Sequence, residues 1–168
     1  MTKTLAKSSA PDLYETDYYR WLEEQAELFR EGRLEDIDAL NFIDEFDELA
    51  VGERASVEGH AETIVEHLLK LQYSPAARPR RGWRLTVRKS RARLKTRLTA
   101  TLRTYLLQQL ADAYADARDA ALIGLEADRI AADQLPAECP YRLEQFLDPA
   151  WLSENVHGIR DHPAKDAE

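Results

Sequence analysis

A chain of 168 residues with 44% hydrophobic and 32% charged side chains has the size and balance of one compact globular domain. Its 6 Gly and 7 Pro are too few for the turns of a sheet protein, and abundant Ala, Leu, Arg and Glu favour helix. The single Cys139 excludes an internal disulfide, and no stretch approaches the roughly 18 unbroken apolar residues of a membrane span, so a cytoplasmic protein with no membrane contact is expected.

Residues 1–11 are small and polar, lack the apolar core of a signal peptide, and read as a disordered leader. A single helical domain is expected over 12–152, with a frayed tail over 153–168. Tyr14, Tyr18, Trp21, Leu22, Leu28 and Phe29 fall within an arc of roughly 120° and predict an amphipathic helix that stops at Gly32. A second helix is predicted from Leu34, where Glu35 and Asp36 suit the positive end of the helix dipole. It should bury Ala39, Phe42, Ile43, Phe46, Leu49 and Ala50 and end at Gly52. The third, from Glu53 to Tyr73, stacks Val57, Ala61, Ile64, Val65, Leu68, Leu71 and Gln72 on one side, and Ser74-Pro75 terminates it.

Ala76 to Gly82 is a linker that holds Pro79 among Arg78, Arg80 and Arg81. Trp83, Val87, Leu94 and Leu98 then recur at helical offsets and place one narrow apolar stripe on a very basic fourth helix. A fifth helix, capped by Thr99 or Thr101, carries Leu102, Tyr105, Leu106, Leu110, Ala113, Tyr114 and Ala117 towards Gly124. Beyond it, Gln134 to Tyr141 is a packed loop, Arg142 to Leu147 a short helix, and Asp148-Pro149 the start of a turn. The fold class is therefore all-α: an antiparallel bundle of about five main helices with short helical turns at the C-terminal end.

Charge is segregated along this chain. From His67 to Ala111 there are 12 Lys or Arg and no acid, whereas residues 12–66 carry 18 acids against 4 bases and residues 112–168 carry 13 against 5. The net charge of −8 thus hides two opposed surfaces. One reading makes Arg78, Arg80, Arg81, Arg84, Arg88, Lys89, Arg91, Arg93, Lys95 and Arg97 a binding surface for nucleic-acid phosphates or a partner. The other packs the basic helix beside the acidic ones, leaving a solvated face of weak ion pairs.

A second candidate site uses polar spacing. Asp38, Asn41, Glu45 and Glu48 share a face of the second helix, and His60 and His67 line up on the third, so facing carboxylates and imidazoles are a conceivable divalent-metal site. The Glu-x-x-His pair of di-iron bundles is missing, however, and no cofactor is predicted. Cys139, between Glu138 and Pro140 without a basic neighbour, reads as a small packed hydrophobe. No Gly-rich phosphate loop or nucleophile elbow occurs.

Several landmarks in order, namely Leu13 to Trp21, Asp38 to Glu45, His67 to Pro75, Trp83, and Cys139-Pro-Tyr141 with Gln145, resemble the bacterial family catalogued as domain of unknown function twenty-nine. The resemblance covers Asp12 to Leu152. It implies an all-helical fold and carries over neither an activity nor a functional residue. Leu71 stands where an aromatic is expected, and the basic helix lacks interspersed acids, which makes its positive charge a feature of this chain. The leading functional expectation is a non-enzymatic interaction domain that binds a protein partner or itself through the fourth and fifth helices. Nucleic-acid binding through 78–97 and a metal-dependent enzyme are the alternatives.

Overall fold

The computed structural model describes residues 13–160, so the expected leader lies outside the described residues. The long elements are all helical: α1 (Leu13–Thr16), α2 (Tyr18–Glu31), α3 (Ala39–Tyr73), α4 (Arg80–Arg97), α5 (Ala100–Leu125) and α6 (Leu143–Leu147), with no strand among the described residues. The chain is an all-α helical bundle, and it divides into two compact units, one up to Gly52 and one from Glu53.

The first unit is small and aromatic. Asp17 breaks α1 from α2 and caps the latter, its carboxylate accepting the Arg20 N–H at 3.2 Å; Gly32, at φ 72°, closes α2 in the left-handed conformation that a glycine adopts without a Cβ penalty. Leu34–Asp36 forms only a 3₁₀ turn, and the next helix starts later than predicted, at Ala39. Asp38 sets that start: its side chain accepts from the Asn41 N–H, while its own N–H donates to the buried Gln25 Oε1 at 2.9 Å. Trp21 is the buried centre, with Tyr14, Tyr18 and Phe42 around it at centroid distances of 4.9 to 5.8 Å.

The predicted helix end at Gly52 does not exist. One 35-residue helix runs through it, because a mid-helix glycine costs only about 1 kcal/mol and no proline or capping residue enforces a stop. The second and third predicted helices are therefore one, and no loop turns the chain back between them.

In the second unit, the part of α3 from Glu53 packs with α4 and α5. Arg97 at the end of α4 pairs with Glu53 at 2.6 Å, and Arg80 at its start donates to the Leu71 carbonyl, so α4 runs antiparallel to this part of α3. Tyr105 near the start of α5 donates to Glu58, and Gly124 near its end faces Lys70, so α5 returns in the direction of α3. Val57, Ala61, Ile64, Val65, Leu68 and Leu71 of α3 meet Val87 and Leu94 of α4 and Leu106, Tyr114, Ala117 and Leu125 of α5 in one core, with Trp83 and Leu98 packed on its edge. The predicted stripes of all three helices thus supply the core, except for Gln72 and Tyr105, which are half-buried outside it. Thr99, not Thr101, caps α5 by accepting the Leu102 N–H.

The loop after α5 packs as expected. Its Pro136 carbonyl accepts from the Tyr114 hydroxyl at 2.6 Å and from Arg118 Nε at 3.0 Å. Within the tail expected to fray from 153, residues 153–157 are tied to the end of α3. Ser153 donates to the Leu68 carbonyl, the Asn155 side-chain amide to the carbonyls of Leu71, Gln72 and Ser74, and Val156 N–H to Gln72. A helix end leaves four carbonyls without intrahelical donors, and this segment supplies the donors.

Candidate functional site

The cations of the basic helix stand in two settings, buried in the fold or on its flanks. Val87, Ser90, Arg91 and Leu94 form the buried face of α4, and Arg80 is buried at its start. The Arg91 guanidinium donates to the carbonyls of Trp151 at 2.7 Å and Gln145 at 3.0 Å, and burial holds its pKa below the ordinary arginine value. Arg80 and Arg91 therefore tie the fold together and do not present charge to a ligand. Arg97 is satisfied by Glu53.

The remaining cations stand on two flanks of α4. Arg78, Arg81, Arg88 and Lys95 are exposed on the outer side and in the preceding linker, and Arg84 is half-buried there. Lys89, Arg93 and Arg97 follow one another at four-residue spacing on the side next to α3. There a groove of about 470 Å³ opens between the two helices, floored by Ala55, Ser56, Gly59, His60 and Thr63 of α3 and walled by Thr86, Lys89, Ser90 and Arg93 of α4. Nothing occupies the space where a Cβ on Gly59 would lie. Desolvation, then the charges of Arg93 and Arg97, push the His60 imidazole pKa below its usual value.

Asp38 and Glu45, expected as metal ligands, are engaged within the first unit. Both Asp38 oxygens are engaged by Asn41, through its N–H and its side-chain amide at 2.7 Å. Glu45 accepts the hydroxyls of Tyr14 at 2.8 Å and Tyr18 at 2.5 Å, and the hydrogen bond to Glu45, followed by desolvation, raises the Tyr14 pKa to about 12. His60 and His67 stand two turns apart on one helix, roughly 10 Å along its axis, too far to share an ion. His67 Nδ1 lies 3.0 Å from the Thr63 carbonyl, and burial lowers its pKa. Among the described residues no three His, Cys, Asp or Glu side chains converge on a metal-binding point. Cys139 is half-buried, its thiol donating to the Tyr141 carbonyl at 3.5 Å, and burial raises its pKa; it is packed and not activated.

A surface that sequence periodicity assigned to the core is open instead. On α3 within the first unit, Ile43, Phe46 and Leu49 remain 50%, 60% and 64% exposed, and Ala50 is exposed beside them. Of that stripe Ala39 and Phe42 are half-buried, and the Phe42 ring packs against Trp21, Phe29 and Phe46. Periodicity reports which face is apolar but not what covers it. The groove was missed for a different reason: Ser56, Gly59, Thr86 and Ser90 are neither apolar nor charged, and only the register of α3 against α4 brings them together.

Residues 13–152 match the family model described as Domain of unknown function DUF29. No curated protein and no solved structure matches the chain. Among the described residues no helix is long and apolar enough to cross a membrane.

Proposed function

The chain belongs to the family of the domain of unknown function DUF29, and from that premise we propose that it is a non-enzymatic helical interaction domain that binds a protein partner through the open apolar face of its first unit. The supporting observation is the exposure of Ile43, Phe46 and Leu49 at three-residue spacing on one long helix. An amphipathic partner helix is the usual occupant of such a face, and burying these side chains contributes about 1.5–3 kcal/mol each. Asp44, Asp47 and Glu48 border the stripe. Two copies pairing through this face would oppose their own acids, so the partner that fits carries apolar residues edged with Lys or Arg.

The test compares wild type with Ile43→Asp and Phe46→Asp in affinity capture, with light scattering to count copies. The reading expects one protein captured stoichiometrically by wild type, lost in both variants, with unchanged helical content. Equal capture by the variants, or a monomer that captures nothing, would overturn it.

A second reading is nucleic-acid binding. Its support is that Arg81, Arg88, Lys89, Arg93 and Lys95 of α4 meet no acidic side chain among the described residues. Duplex and single-stranded probes titrated at two salt concentrations decide it, since phosphate neutralisation makes affinity fall steeply with salt. Salt-independent or absent binding removes this reading.

A further inference from the structure

The groove between α3 and α4 lies wholly within the second unit and stands independently of the partner face. Its nine lining residues include two cations, one imidazole, four hydroxyls and no acid. That composition departs from a chain whose acids outnumber its bases by 31 to 23.

The geometry is specific. Lys89 and Arg93 are one helical turn apart on the same face, so their heads reach a common point. The third cation of the row, Arg97, is closed off by Glu53, which leaves these two for a ligand. Thr63 and Thr86 spend their hydroxyl protons on the Gly59 and Gly82 carbonyls, but Ser56 and the buried Ser90 have no hydrogen-bond partner among the described residues and keep donors to offer. On the α3 wall, Ala55 and Gly59 keep the floor low, and the volume falls in the range of small-molecule sites, larger than a bare oxyanion requires.

We propose that this groove binds a phosphate group, free or esterified to a small molecule, with Lys89 and Arg93 as its cationic clamp and Ser56, His60 and Ser90 as hydrogen-bonding partners. An Arg fork and a Lys ammonium complement tetrahedral oxyanions, the first directionally and the second as a point charge. The neutral imidazole of His60 offers one N–H, and a bound dianion draws a second proton onto it.

The experiment is isothermal titration of the full chain with inorganic phosphate and, separately, with glycerol 3-phosphate. Saturable binding of at least one probe is expected, weakened about tenfold in each of Lys89→Gln and Arg93→Gln and changed less than about twofold in Arg81→Gln on the outer flank. Tighter binding of the ester assigns the groove to a phosphorylated small molecule, and equal binding assigns it to the free oxyanion. No saturation with either probe at about 10 mM overturns the proposal, as does an equal loss in Arg81→Gln, which would mark diffuse surface charge. Circular dichroism melts of each variant separate a lost ligand from a lost fold.

Discussion

Arg80 and Asn155 donate to the same atom: Arg80 Nη1 and Asn155 Nδ2 each lie 2.8 Å from the carbonyl oxygen of Leu71. One donor comes from the helix that follows α3 and the other from the far end of the described chain, so the end of α3 is closed from two directions.

Asn155→Ala removes the side-chain amide whose two N–H groups are shared among the carbonyls of Leu71, Gln72 and Ser74. Water replaces part of the loss at this half-buried site, so the expected destabilisation is about 2 kcal/mol, or a fall of roughly 4–8 °C in Tm. Thermal melts monitored by circular dichroism check it, and an unchanged Tm would show that the segment merely lies on the surface.

Arg91→Lys is expected to cost about 2 kcal/mol in urea unfolding, although charge is conserved. An ammonium does not span the two carbonyls that the planar guanidinium bridges, and the lost hydrogen bond leaves a half-buried acceptor unpaired. Arg81→Lys, at an exposed position of the same helix, is the control and should stay within about 0.5 kcal/mol of wild type.

Three helical glycines separate propensity from packing. Gly52→Ala and Gly59→Ala meet open space and should each stabilise by about 0.5–1 kcal/mol. At Gly124 a Cβ would collide with Lys70 Cε and Nζ, and Lys70 is buried and held to Glu66 at 2.5 Å. Gly124→Ala should therefore show none of that gain. Equal stabilisation by all three would mean that Lys70 moves aside freely.

Both α3 histidines make the fold acid-sensitive. Desolvation and the charges of Arg93 and Arg97 lower the pKa of His60; burial lowers that of His67 against a smaller opposing pull from Glu66, with Lys70 also lowering it. A folded-state pKa below the unfolded value gives stability that is complete above about pH 6.5 and is lost as pH falls through the folded pKa. Urea unfolding at pH 7.5, 6 and 5 should show this decline, and His60→Gln with His67→Gln should flatten it. Saturating inorganic phosphate should also reduce the decline in wild type but not in Arg93→Gln.

Much of the second unit was legible in the sequence because its signals are local and agree with one another. Ser74-Pro75 and Thr99 mark boundaries through backbone chemistry, and Val87 with Leu94 lies on a single face. Gly52 misled because a glycine resembles a stop signal, while its actual cost is small beside the hydrogen bonds of a continuing helix. The candidate cations were legible as a set but not individually. Arg80 and Arg91 look like their neighbours in sequence, and only the carbonyls contributed by Leu71, Gln145 and Trp151 distinguish them.

The last segment also bears on the order of assembly. Ser153 reaches the Leu68 carbonyl across 85 positions of chain, whereas α3, α4 and α5 are joined by short connections. Closing a long loop costs more entropy than closing a short one, so the three helices are expected to associate first and the 153–157 segment to dock last. During synthesis the carbonyls of Gln72, Tyr73 and Ser74 at the end of α3 then stay bonded to water until about half of the chain has followed them out of the ribosome.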